Sequence, residues 1–396
     1  MPAYRSAITD QLLGCLTGAR PAAVRRNGPE RPGAGRHPGP LVSARAAAWA
    51  AAMAASLALT APVQAQERDS FRIAWSIYVG WMPWGYLDES GIMAEWADRY
   101  GIEIEIVQIN DYIESINQYT AGAFDGVTAT NMDTLSIPAG SGVDTTALIV
   151  GDYSDGNDAI ILKGEGGLED LAGMPVNLVE LSVSHYLLAR GLDSVGLSER
   201  DLGAVINTSD ADMVAAFQSA DVQAVVTWNP LVSTILEDPA ATRIFDSAGI
   251  PGEIIDLLVV NTATLEANPD FGRALVGAWY ELMAIMASDT EEGIAARTAM
   301  AEASGTDLAG YEAQIASTRF FFDPAEAAAF AEDPALQDTM VNVAEFLFEQ
   351  GILGEGAPGA DFIGVEYPDG AVTGDPGNIR LRFDSRFMRM AAEGAL

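Results

Sequence analysis

Hydrophobic and polar positions along the chain follow two alternating periods. Residues 71–78 are mainly apolar, with β-branched Ile73 and aromatic Trp75, which predicts a buried strand. A Gly-Trp-Met-Pro-Trp turn follows at 80–84, then helical sequence to Tyr100, broken at Gly91 and ended at Gly101. Ile102, Ile104 and Ile106 alternate with Glu103 and Glu105, the pattern of a half-buried strand. Asp111 is placed to cap a helix running to Ala121. Strands at 126–130 and 146–150 complete a βαβαβ order, which predicts an α/β domain with a largely parallel sheet.

At 151–158 the sequence turns to Gly-Asp-Tyr-Ser-Asp-Gly-Asn-Asp, which is loop chemistry and an expected crossing between domains. A second α/β series follows. Residues 159–162 and 176–179 read as strands, 184–192 as a helix, 210–219 as a helix capped by Asp210, and 222–227 and 255–260 as strands. Beyond Asn261 the pattern is mostly helical. Asn268-Pro269 opens a helix to residue 287, Asp289 and Asp307 open two more, and 334–350 is another. Residues 361–380 are rich in Gly and Pro and read as irregular, and 384–392 as a short final helix.

The N-terminal region has a different character. Residues 1–40 are rich in Arg, Gly, Pro and Ala without a steady hydrophobic period. Arg45 then leads an apolar run from Ala46 to Ala61, and Val63-Gln64-Ala65 gives a small-x-small pattern before polar Gln66-Glu67-Arg68-Asp69. A basic residue, a short apolar run and such a site together read as a secretory signal peptide over 1–65, cleaved after Ala65. The apolar run is shorter than the roughly 20 residues a membrane span needs; an N-terminal anchor is the alternative reading. The 1–40 extension reads either as a long leader or as a start codon placed too early.

Composition then excludes several classes of function. The chain of 396 residues carries 21 Lys+Arg against 56 Asp+Glu, a formal net charge of −35, so the clustered cations that neutralise phosphate are missing and nucleic acid is not expected as a partner. Hydrophobic residues make up 49%, enough for a large core, which excludes wholesale disorder. The one cysteine, Cys15, lies in the expected leader, so disulfides, thiol catalysis and Cys-ligated zinc are excluded from the body of the protein. With only His37 and His185, a multi-His metal site and a conventional hydrolase triad are unlooked for; no cofactor and no enzymatic activity are expected. Residues 1–65 hold seven Arg and two acids, so the rest of the chain is more acidic still, with Lys163 its single lysine.

Three segments, in order, resemble a known family. Leu168-Glu-Asp-Leu-Ala-Gly-Met-Pro-Val176 resembles the L-x-D-L-x-G-x-x-V segment that opens the second lobe of many solute-binding proteins. Ser182-Val-Ser-His-Tyr-Leu-Leu188 is similar to the strand-to-helix turn of the nitrate/taurine/aliphatic-sulfonate binding proteins, and Val225-Val-Thr-Trp-Asn-Pro230 to their W-x-P strand end. Segments 75–92, 110–133 and 152–159 resemble most the branch encoded beside urea (guanidine) carboxylase. The resemblance implies a type II periplasmic-binding-protein fold of two α/β lobes with a helical C-terminal region, a periplasmic location, and a partnership with an ABC permease and its ATPase. It also points to guanidine or urea as the solute.

The residues can be weighed separately. Sulfonate binders of this type present backbone amides to an anion at a helix N-terminus, as the resemblance implies. Here Glu180 and Leu181 precede Ser182, and a carboxylate at a strand end opposes an anion and suits a cation or an amide donor. Guanidinium is planar, offers N–H forks to carboxylates and stacks on aromatic faces. Residues at the carboxyl ends of strands, where ligands of such sheets sit, are therefore the expected contacts: Tyr78, Trp81, Asp111, Asn131, Asp155, Asp158, Glu180, Ser182, His185, Trp228 and Asp256. Each has a structural alternative. Trp81 and Trp84 suit a ligand wall or the core. Asp111 and Asp133 suit helix caps, Asp155 and Asp158 turns, Glu180 an ion pair, and His185 helix packing.

The expected organisation is a leader at 1–65, a first lobe from 66–154 and 260–396, and a second lobe from 155–259, with the second crossing near 259–262. The expected function is a monomeric periplasmic solute-binding protein for guanidine or urea. A nitrate, sulfonate or pyrimidine-type solute, or a sensor that presents ligand without transport, are the alternatives.

Overall fold

The computed structural model describes residues 68–354 and 356–396; the expected leader lies outside the described residues. Alternating apolar positions become two sheets. The first has nine strands, ordered β13-β12-β14-β4-β10-β3-β1-β2 with β11 beside β4. Its strands are β1 (Ser70–Trp75), β2 (Glu103–Gln108), β3 (Gly126–Thr130), β4 (Thr145–Ser154), β10 (Ile255–Asn261), β11 (Thr318–Phe320), β12 (Gly364–Glu366), β13 (Val372–Thr373) and β14 (Ile379–Phe383). The second has five, ordered β7-β6-β8-β5-β9: β5 (Ala159–Lys163), β6 (Pro175–Leu178), β7 (Ala204–Asn207), β8 (Ala224–Thr227) and β9 (Ala241–Asp246). The mixed α/β class expected from the sequence is the one observed.

Local signals account for the helices of the first sheet. Gly91 and Gly101 adopt left-handed backbone at either end of the helix Ile92–Tyr100, and the Asp111 carboxylate accepts from the Glu114 N–H to cap Tyr112–Thr120. The helix Pro269–Met286, with Pro at its start, buries an apolar face against the sheet. Its Gly277 lets the backbone meet the Trp96 ring, which a Cβ there would strike. Phe71 stacks on Phe271 and Trp84 on Trp279, so Trp84 takes its core alternative.

Several expectations are corrected. The first sheet is mixed: β1 pairs parallel with β2 and β3, but β10 inserts antiparallel between β3 and β4. β4 runs to Ser154, four residues past its expected end at 150, because β10 and β11 pair along both its edges. The segment read as a loop from 151 is therefore half strand. The return from the second sheet to the first lies at 247–254, ahead of the expected 259–262, because 255–261 already pairs inside the first sheet. Asp210 is the first residue of its helix, and Ser209 takes the cap position. Strands β7 and β9 were not legible, being edge strands with few buried positions. Within 361–380, short β12 and β13 add to the sheet edge through β14.

Candidate functional site

The insertion of β10 builds the site. Its register sets Asp256 beside Thr130 of β3 on one side and beside Asp152 of β4 on the other, so three polar side chains form one row across three strands. This row lies where β3 and β4 end and where the chain after β1 turns at 76–81. Side chains from the second sheet's connections close over it. The result is a cavity of about 10 Å³ lined by Tyr78, Trp81, Tyr112, Thr130, Asp158, Val183, Trp228, Ile254 and Asp256. That is room for a body of about water size.

Four aromatic rings make the wall. Tyr78 and Trp81 meet edge to face with centroids 5.0 Å apart, Trp81 and Tyr112 at 5.4 Å, and Tyr112 and Trp228 edge to face at 5.5 Å. Two hydrogen bonds fix this wall across the two sheets. The Trp228 indole N–H donates to Ile77 O at 3.2 Å, and the Val79 N–H to Asn229 O at 3.3 Å.

Four buried carboxyl groups gather on the polar side: Asp158 and Asp256 line the cavity, and Asp133 and Asp152 lie behind its lining. Among the described residues no Arg, Lys or His forms an ion pair with any of them. Asp133 Oδ2 accepts from Tyr112 Oη at 2.6 Å, from Thr130 Oγ1 at 2.9 Å and from the Val183 N–H at 3.3 Å. It thereby joins β3 to the helix Val183–Ser194 that follows β6. Asp158 Oδ2 accepts from Ser154 Oγ at 2.6 Å. Tyr78 Oη donates to Asp152 Oδ1 at 2.7 Å, while Oδ2 of Asp152 and Oδ2 of Asp256 have no partner. Gly80 leaves the space this pair occupies, since a Cβ there would collide with Asp152 Oδ2 and the Tyr78 ring. Loss of water is the largest influence on all four acids and disfavours the charged form. It pushes Asp133 and Asp158 up to about 6, against the hydrogen bonds that pull the other way. Burial also raises Asp152 and Asp256; Asp256 is raised further by the Asp152 charge beside it. Tyr78 is likewise raised, first by burial and then by the Asp152 charge.

Of the expected contacts, the structure brings Tyr78, Trp81, Asp158, Trp228 and Asp256 together around this cavity. The other six lie off its lining. Asn131 is buried behind it, its carboxamide taking the Ile255 N–H at 3.1 Å and donating to Glu253 O at 3.1 Å, so it braces the entry into β10. Asp111 is the helix cap. Asp155 is exposed, and its N–H donates to Ser317 O. Glu180 is exposed and its N–H donates to Asn207 Oδ1. Leu181, which follows it, takes a left-handed step at φ 64°, and from this turn it is Val183 that lines the cavity. Ser182 caps its helix, accepting from the Ser184 N–H. His185 accepts the Leu181 N–H on Nδ1 and faces Glu199 through Nε2. Sequence reasoning missed Tyr112, Thr130, Val183, Ile254 and the Asp152 carboxyl; Asp133, a strand-end candidate with a helix cap as its alternative, lies behind the lining and binds Tyr112 and Thr130. Asp152 carried a signal, an acid inside what β-pairing makes a strand, but the Gly and Ser around it resembled a loop.

A family model described as the NMT1-like family matches residues 74–302. No curated protein matches the sequence. Among solved structures, the alkanesulfonate-binding protein of Xanthomonas axonopodis pv. citri bound to MOPS is similar, with TM-score 0.59 and 18% identity over 74% of this chain and 96% of that one. The periplasmic aliphatic sulphonate binding protein of Escherichia coli gives TM-score 0.57 and 21% identity, covering 72% and 94%. The periplasmic nitrate-binding protein of Synechocystis gives TM-score 0.51 and 12% identity, covering 83% and 99%.

Proposed function

Because the chain belongs to the NMT1-like family, we propose that it is a periplasmic solute-binding protein, and that its solute is a small planar nitrogen-rich molecule, guanidinium first and urea second. The observation that carries the ligand is a cavity lined by two buried carboxyl groups, Asp158 and Asp256, and four aromatic rings, with Asp133 and Asp152 buried behind the lining and no basic side chain in it. Carboxylates without a cation are costly inside a protein, and a guanidinium ion would supply the missing charge. Hydrogen bonds to ionised carboxylates contribute about 1.5–3 kcal/mol each and an aromatic face about 0.5–2 kcal/mol. Urea offers the same N–H geometry without the charge and would bind more weakly.

The sulfonate and nitrate binders of similar fold take anions, as their names say. The same acids argue against an anion here; guanidinium or urea, with four heavy atoms, would need the water-sized cavity to open somewhat, and a molecule the size of MOPS far more. The sheets β1–β4 with β10–β14 and β5–β9 would act as the two lobes, passing into each other at 155–158 and 247–254. The solute would close them, and the monomer would deliver it to an ABC permease and its ATPase.

Calorimetry of the secreted protein with guanidinium, urea, taurine and nitrate tests the reading. Guanidinium is expected to bind tightest and urea measurably but more weakly. Tight taurine or nitrate binding, with no heat from guanidinium, would overturn it in favour of an anionic solute.

A further inference from the structure

Asp152 and Asp256 stand opposite each other on β4 and β10, each with one carboxyl oxygen that is fully buried and has no partner. They are direct partners in the antiparallel register of β4 and β10, and the Asp152 charge raises Asp256 beyond what burial alone does. Two carboxylates at that range cannot both stay ionised in a dry site, and a proton between them removes one charge and satisfies both oxygens. The groups that face the pair add no positive charge. From the chain after β1 comes the Tyr78 hydroxyl, from the passage after β4 the Asp158 carboxyl, and from the helix Leu308–Ile315 the Tyr311 hydroxyl, which donates to Val79 O. Asp256 lines the cavity and Asp152 stands behind it, so a cation in the cavity meets the pair at its Asp256 end.

We propose that Asp152 and Asp256 read the charge of the solute, holding one proton between them in the empty protein and releasing it to solvent when a monocation seats. The inference rests on the proposed cationic ligand. In the exchange one positive charge leaves as the proton and one enters as the ligand, so the cavity keeps its net charge while its hydrogen-bonding changes. A neutral solute leaves the proton in place. The pair therefore favours cation over neutral isostere more strongly as pH rises, a selectivity that a fixed carboxylate would not have.

Calorimetry of guanidinium binding at pH 6.5 in buffers of differing ionisation enthalpy measures the protons released. About one proton per guanidinium is expected, and close to none for urea. The guanidinium Kd is expected to tighten about tenfold per pH unit on the acid side of the pair's titration and to level off above it. In Asp152→Asn, which keeps shape but cannot share the proton, release should fall to near zero while weaker guanidinium binding persists. Carbon-13 spectra of labelled Asp carboxyls in the empty protein give a readout without ligand, and one proton shared by the pair is expected. Guanidinium binding with no proton release, or a pair fully ionised in the empty protein, would overturn the exchange and leave the cationic ligand standing. Absence of guanidinium binding would instead remove the ligand assignment, and the exchange with it.

Discussion

At the scale of single residues, local backbone separates two acids of identical promise: β10 pairing sets Asp256 and a left-handed turn at Leu181 adjoins Glu180. Asp256 faces the cavity, whereas Glu180 is turned into solvent. Asp256→Asn is accordingly expected to weaken guanidinium at least tenfold and urea by much less, and Glu180→Gln to leave both within about twofold, as surface substitutions do; titration calorimetry of the two variants checks this. Burial of the acids also sets a pH dependence. Asp133 and Asp158 titrate near 6 in the folded chain against 3.8 for the ordinary group. Their folded-state values are raised, so the stability they contribute is fully present below 3.8 and is lost as pH rises through about 6. The empty protein is expected to lose up to roughly 3 kcal/mol per group over that window. Glu253, lowered in spite of burial by its bonds to Arg190 and Tyr186, acts in the opposite sense and at lower pH. Thermal unfolding of the empty protein at pH 5 and pH 7.5 should find Asp158→Asn less sensitive to pH than the unmutated chain.

At the scale of elements, the strands and helices that local chemistry dictates were legible and those that distant pairing dictates were not. The span 126–130, the Asp111 cap and the Asn268-Pro269 helix start follow from residues within a turn of each other. The last four residues of β4 are strand only because Ile255–Asn261 and Thr318–Phe320, over a hundred residues away, supply the partners. The site shares that division. Aromatic residues after β1 and β8 mark themselves by their place at strand ends, while Asp152 enters through a register no local pattern records. The tie between Trp228 and Ile77 O spans the two sheets in the same non-local way. Trp228→Phe keeps an aromatic wall and removes that N–H. It is expected to shift the empty protein toward an open form, read as a larger radius of gyration in X-ray scattering, with guanidinium affinity reduced several-fold.

At the scale of the whole molecule, the acidity of the chain and the chemistry of the cavity are separate matters: among the described residues six acids are buried, and four of these gather at the cavity. Saturating ligand binds the folded form alone and should add about 2.7 kcal/mol at a hundred times Kd, a clear rise in Tm. Secreted protein is expected to begin at or within a few residues of Gln66, which intact mass measurement decides; retention of full-length chain in the membrane would contradict the cleavage reading. The passages between the sheets, 155–158 and 247–254, end at Asp158 and just before Ile255-Asp256, so two of the four acids gathered at the cavity sit at the axle about which the proposed lobes would turn. A molecule of four heavy atoms lodged there works on a short arm while the rims swing on a long one. An ångström of travel at the axle is then several at the rim, which is how so small a solute could set the posture of so large a protein.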